Sequence, residues 1–319
     1  MSASKIKFIF YLLGICSICV PGSAQELHGP SDSVHIVLAP APHVDQGGTE
    51  ASSLEKDVRF LCDPSCYGRL SAGPGYTAAV LWTKMRMNEC GLRTSIRHFS
   101  AEGKPRHNVL GTLETSPGAK WIIVLARLDG VGDRDAQRYP GADANASGVA
   151  GLLSLADTLR SDGGLAKNVL FAALDGHACG LAGAYELFRS LPSMGISTSK
   201  VALVVNLEEI GTSLAPPSKA WKNYLIALGG ARYGKSLQQC NIGLELQLYY
   251  DYYGSTGFTD MFYRRISDHK PFLEAGLPCV MFTSGITMNT NRPTDGPETL
   301  NYPLLQRRLE LIRRWIAKF

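Results

Sequence analysis

This sequence predicts a single doubly wound α/β domain, with a mostly parallel central sheet covered by helices on both faces. Three observations point there. Short, almost wholly apolar runs recur at Trp121 to Ala126 (WIIVLA), Val169 to Leu174 (VLFAAL) and Val201 to Leu207 (VALVVNL), as expected of strands buried on both faces. Stretches of helical periodicity separate them, so strand and helix alternate. The 319 residues suffice for one large domain of this class.

The first 24 residues read as a secretory signal. Lys5 and Lys7 form a charged start, Phe8 to Val20 is an apolar stretch too short for a comfortable span, and Gly22-Ser23-Ala24 supplies small residues for cleavage after Ala24. Residues 25–50, rich in Pro, Gly, Ser and His, are expected to form an extended arm. The domain proper then covers 51–319. Its elements are expected as a helix over 54–61 and an amphipathic helix from Tyr76 to Cys90, ending near Gly91. Asn108 to Leu113 suits a strand, followed by the first apolar run. A helix over 147–159 leads to the second run, and a helix over 180–191 to the third. Tyr224 to Leu228 and Pro278 to Thr283 are further strands, and Leu304 to Phe319 is an Arg-rich amphipathic helix whose positive face is most simply a solvated one.

Composition fits this reading: 45% hydrophobic and 19% charged residues are the proportions of an ordinary globular chain. A net charge of +4 without a basic stripe carries no nucleic-acid footprint. No long apolar segment follows the signal, so the mature chain is expected to be secreted or periplasmic, without a membrane span. Six cysteines remain after the signal: Cys62, Cys66, Cys90, Cys179, Cys240 and Cys279. An exported chain permits disulfides, and the short Cys62–Cys66 loop is placed to close on itself, but spacing alone leaves the pairing open. The spacing lacks the paired CxxC pattern of a structural zinc site.

In such sheets, sites form at the carboxyl ends of the strands, and the informative residues follow the apolar runs. In order, they are Ala126-Arg127-Leu128-Asp129, Pro140-Gly141-Ala142-Asp143-Ala144-Asn145-Ala146-Ser147-Gly148, Leu174-Asp175-Gly176-His177-Ala178-Cys179-Gly180-Leu181, Asn206-Leu207-Glu208-Glu209-Ile210-Gly211, Ser267-Asp268-His269 and Asn291-Arg292-Pro293-Thr294-Asp295. Across roughly residues 50–319 these segments resemble peptidase family M28, the co-catalytic zinc aminopeptidases and glutaminyl-cyclase-like proteins. The resemblance implies two zinc ions held by a bridging carboxylate, two outer carboxylates and two imidazoles, with a further Glu as general base on the metal-bound water.

The chain departs from that pattern at nearly every chemical position. Arg127 stands where the family has the first imidazole, although Asp129, its orienting partner, is kept. Ala144 replaces the bridging Asp between Asp143 and Asn145. The general base and the ligand after it become His177 and Ala178. Glu208 takes the place of an Asp, one methylene longer, and Asn291 takes that of the last imidazole. Of the family ligand positions Arg127, Ala144, Ala178, Glu208 and Asn291, only Glu208 retains a metal-binding group. Alanine has no donor, and a guanidinium has no lone pair to give. No cofactor is therefore expected, and zinc only if a rearranged ligand set survives. A buried carboxylate needs a partner, so Glu208 or Asp129 is expected to pair with Arg127.

Simpler roles accompany each sharper one. His177 holds the general-base place, but without a metal-bound water it reads as a polar pocket residue. A Cys179–His177 dyad has no nucleophile elbow to support it. Asp143 and Asp175 suit turn and helix-cap roles. Asp268 and His269 match a landmark that the resemblance makes architectural. Tyr249, Tyr250, Tyr252 and Tyr253 form either a peptide-binding wall or a packed loop. Asn145-Ala146-Ser147 matches a glycosylation sequon but lies in the family's site turn. Two functions follow. One is a non-catalytic protein binding a peptide, a chain terminus or a protein partner in the inherited cleft, as inactive relatives of this fold do. The other is an aminopeptidase with an altered metal site.

Overall fold

The computed structural model describes residues 52–319; the expected signal and extended arm lie outside the described residues. Eight strands form one sheet in the order β1-β2-β4-β3-β5-β8-β6-β7: Arg93–Ala101 (β1), Lys104–Leu113 (β2), Trp121–Arg127 (β3), Asn168–Leu174 (β4), Val201–Leu207 (β5), Tyr224–Leu228 (β6), Gln247–Tyr249 (β7) and Cys279–Thr283 (β8). The central four, β4, β3, β5 and β8, are parallel. β1 and β2 add an antiparallel margin on one side. On the other, β6 runs antiparallel to β8, and β7 runs parallel to β6.

The apolar runs are buried because period-two alternation sends their residues to two different cores. Ile122, Val124 and Ala126 of β3 pack on one face with α1 (Ser53–Leu61), α2 (Tyr76–Glu89), α3 (Ser147–Asp162) and the carboxyl-terminal α8 (Tyr302–Lys318). Ile123 and Leu125 pack on the other with α4 (Ala182–Ser190) and α7 (Lys270–Glu274). Two faces that both demand apolar side chains leave no polar alternation to be seen in the sequence. α5 (Gly234–Cys240) and α6 (Thr256–Asp260) complete the helices near the β6–β7 margin.

The differences from the sequence reading have local causes. β1 is half-exposed with a mixed polar pattern, so it carries little apolar signal. It is joined to β2 by Glu102 and Gly103, both at positive φ (52° and 70°) between the paired residues Ala101 and Lys104. That geometry makes a two-residue hairpin and starts β2 four residues earlier than expected. α4 begins two residues late because Gly180 and Leu181 are both left-handed. The described cysteines are free thiols; Cys66 turns its Sγ to the Phe60 carbonyl, so the Cys62–Cys66 loop is not closed by a disulfide.

Two fully buried arginines tie the loops to this sheet. Arg69 donates to the carbonyls of Leu61, Leu128, Pro140 and Gly141 at 2.5–3.1 Å. Arg308 of α8 donates to those of Tyr224, Ile210 and Thr212 at 2.7–2.8 Å. Each unsatisfied buried carbonyl costs about 1–3 kcal/mol. Arg308→Met is therefore expected to lower stability by about 3 kcal/mol or more in urea denaturation; a midpoint equal to wild type would show that the guanidinium does not hold these loops.

Candidate functional site

Strand register builds the site. β3 and β5 are parallel neighbours with Ala126 opposite Leu207, so the next residues on each chain, Arg127 and Glu208, meet at the carboxyl edge. The guanidinium grips one carboxylate oxygen twice, Nε to Oε1 at 3.0 Å and Nη2 to Oε1 at 2.9 Å. Glu209 lies 3.9 Å from the same Nη2. Both partners are buried, Arg127 7% and Glu208 8% exposed. Burial alone would lower the pKa of Arg127, but Glu208, Asp129 and Glu209 more than offset it and hold the charge. Of the two pairings expected for Arg127, the structure forms the one with Glu208.

Asp129 instead accepts the backbone N–H of His177, at 3.1 Å to Oδ2. Burial pushes this carboxyl up to about 7, against the pull of His177 and Arg127. The His177 ring sits at the cleft surface and places Nδ1 2.9 Å from Oδ2 of the fully buried Asp268. Burial lowers the His177 pKa, but Asp268 outweighs it and leaves the ring above its ordinary value. Glu209, beneath Arg127, is raised well above its ordinary value by burial and then by Glu208. Thr290 donates to its Oε2 at 3.4 Å.

The turn after β3 supplies the floor. Ala144 is buried, and its N–H is taken by Asp295 Oδ2 at 3.0 Å, while Asp295 Oδ1 accepts the Asp143 N–H at 2.8 Å. Asp143 accepts from Gly211 N–H, Thr212 Oγ1 and Ser147 Oγ, so it ties the site turn to the segment after β5. Burial, then Asp295, push its carboxyl up to about 7. Asn145 has no role that its sequence position reveals. It is fully buried and laces the ends of β3 and β5 together: Nδ2 donates to the Arg127 carbonyl at 3.4 Å and the Leu207 carbonyl at 3.0 Å, and Oδ1 accepts the Glu209 N–H at 2.8 Å. Its sequence signals, a place in the turn next to the missing carboxylate and a sequon match, do not point to this role. Gly148 lets α3 reach this point, since a Cβ there would lie 2.5 Å from the Asn145 side chain and 2.6 Å from the Leu207 carbonyl. Ala178 is exposed and Asn291 half-buried at positive φ.

Among the remaining site residues, only the helix-cap role of Asp175 needs correcting. Asp175 caps no helix, since α4 starts at Ala182 without a side-chain cap; its carboxylate instead accepts the Ser71 hydroxyl and, at 2.8 Å, the His107 N–H. Cys179 takes an Arg106 N–H at 3.1 Å rather than pairing with His177, and burial pushes its thiol up to about 11. Tyr252 is no open wall: its ring stacks on Phe262 and its hydroxyl accepts the Ile286 N–H at 2.6 Å. Tyr253 donates to the Ala215 carbonyl at 2.7 Å, so the pair pins the loops after β5 and β8. His269 is fully buried beside the Tyr263 ring, and burial draws it down to about 4, so it is neutral near neutrality.

Three carboxylate or amide oxygens of the cleft receive no hydrogen bond among the described residues: Glu208 Oε2, Asp268 Oδ1 and Asn291 Oδ1. All are acceptors. Among the described residues, no group of three or more His, Cys, Asp or Glu side chains is disposed to share a metal ion, and no helix is long and apolar enough to cross a membrane.

A family model described as peptidase family M28 matches residues 108–316. Among solved structures, a zinc aminopeptidase from Bacillus subtilis aligns with a TM-score of 0.67 at 14% identity, covering 83% of this chain and 94% of that one. LapB from Legionella pneumophila aligns at 0.68 and 15% identity, over 90% and 78% of the two chains. A glutaminyl cyclase from Porphyromonas gingivalis aligns at 0.61 and 15% identity, over 83% and 97%. At these identities the likeness is one of fold.

Removing one member of a buried ion pair leaves the other uncompensated, which costs about 3–5 kcal/mol. Arg127→Met is expected to destabilise by that amount, and the double variant Arg127→Met/Glu208→Leu to recover most of it; equal losses in single and double variants would refute the coupling. Asp129 adds a pH dependence. Its folded pKa, about 7, lies above its ordinary 3.8, so its contribution is fully present below the ordinary value and lost as pH rises through about 7. Asp129→Asn should flatten that fall in a series of urea melts, and an unchanged slope would show that another group titrates there.

Proposed function

We propose that this chain, which belongs to peptidase family M28, is an exported, non-catalytic member that binds a peptide or protein partner by its chain terminus in the cleft at the strand ends. The observation that carries the reading is the Arg127–Glu208 ion pair. It engages the one remaining carboxylate of the family ligand positions and brings a fixed positive charge to where the family's metal charge would lie.

The residues present do not fit two zinc ions. Arg127 is cationic, Ala144 and Ala178 have no donor atom, and Asn291 offers an amide in place of an imidazole. Glu208 already shares Oε1 with the guanidinium. Chemistry through a metal-bound water therefore finds no support in the donor set at these positions.

The same cleft supports recognition of a hydrogen-bond donor. Glu208 Oε2, Asp268 Oδ1 and Asn291 Oδ1 are acceptors without donors among the described residues, and a buried polar group left unpaired is costly. These atoms lie beneath the surface, so a ligand bearing N–H groups, such as the amino terminus of a peptide, reaches them only when the side chains above them shift, and the surplus of acceptors favours such a donor over an anion. A carboxyl terminus would instead meet Glu208 and Asp268. The second reading, a hydrolase, draws on one observation: His177 Nδ1 is oriented by the buried Asp268, an arrangement that suits a general base.

The two are separated by one experiment. Protein purified without chelator is analysed for metal, then assayed on aminoacyl-anilides with and without added zinc. Far less than one zinc per chain and no turnover are expected. Near-stoichiometric zinc with turnover abolished by Glu208→Ala would overturn the non-catalytic reading, and metal-free turnover lost in His177→Ala would favour the second. Peptide arrays test the ligand: free amino termini should bind, and N-acetylation should weaken binding about tenfold or more.

A further inference from the structure

The sheet has a second set of carboxyl ends. β6 and β7 run against β8, so their chains leave the sheet at the edge opposite the Arg127–Glu208 cleft. Outside those ends, where Gly229 follows β6 and Tyr250 follows β7, lies a cavity of about 700 Å³. That volume is in the range of small-molecule sites.

Its lining is chemically divided. Tyr263, Leu273 and Leu277 give one apolar side. Tyr263 is locked there by donating to the Cys279 carbonyl at 2.6 Å. Tyr250 brings a hydroxyl that is buried and has no partner among the described residues. The charged residues on the wall are Arg232, Arg264, Asp251 and Asp260. Asp260 is shared by Arg264 at 3.3 Å and Arg265 at 3.1 Å. Asp251 accepts the Gly254 N–H at 2.7 Å. Arg232 is different: it lies over the Tyr233 ring, 4.8 Å from the centroid, and no carboxylate among the described residues forms an ion pair with it. A guanidinium supported on an aromatic face keeps its N–H edge free for a planar oxyanion.

We propose that this cavity is a binding site, separate from the cleft, for a small organic carboxylate with an aromatic or similarly flat apolar body. The carboxylate pairs with Arg232, and the body lies on Tyr263, Leu273 and Leu277. The site does not depend on the function of the cleft, and neither reading falls with the other.

The probe is 4-hydroxyphenylacetate, titrated calorimetrically into the full mature chain beside two controls: its neutral alcohol analogue, which lacks the carboxylate, and inorganic phosphate, which lacks the body. Saturable one-to-one binding of the carboxylate is expected, with both controls weaker by about tenfold or more. Arg232→Ala should weaken the carboxylate by a similar factor while leaving the alcohol unchanged. Arg232 is exposed, so its variant should fold as wild type does. Absence of saturable binding, phosphate binding as tightly as the probe, or equal affinity in Arg232→Ala would each overturn the proposal.

Discussion

The site depends on the register between β3 and β5. Because Ala126 stands opposite Leu207, the two following side chains, one cationic and one anionic, must share the same buried volume. Neither could be there alone. The desolvation of an isolated guanidinium or carboxylate is worth several kcal/mol even after relaxation, and only a close, well-formed pair offsets it. Asn145 holds the register from the side by bridging the ends of β3 and β5. A slip of the strands would therefore break an ion pair and a buried amide network together, which makes this edge unforgiving of sequence change.

The acids around the pair follow from the same constraint. Arg127 supplies one positive charge to a region that also holds Glu208, Glu209 and Asp129. Charge cannot be balanced for all of them, so burial drives the surplus carboxyls toward the neutral form: Asp129 to about 7, and Glu209 well above its ordinary value. The result is a cleft floor whose charge changes near neutral pH. Next to it, His177 and Asp268 answer one another, a ring at the surface whose Nδ1 lies against a buried carboxylate.

Much of this was legible in the sequence, unevenly and for physical reasons. WIIVLA, VLFAAL and VALVVNL announced the central strands because strands covered on both faces have no polar alternation to confuse the reading. The edge strand Arg93–Ala101 escaped because half of it meets water, so its residues carry no apolar stripe. At the site, the positions of Arg127 and Glu208 could be read from what each would have to neutralise. Asp175 could not: its partners, Ser71 and His107, come from segments distant in sequence, and nothing local distinguishes such a carboxylate from a helix cap. For Tyr252 the sequence leaves a binding wall and a packed loop open, and the packing of Phe262 against its ring decides for the second.

Arg69 and Arg308 give the fold one more property. Between them they bind seven backbone carbonyls drawn from a helix end, a strand end and the loops after β3 and β5. Loops held in this way keep one conformation whether or not anything sits between them. A molecule arriving at the cleft meets walls already in place, so little conformational entropy is lost on contact and most of the interaction free energy appears as affinity.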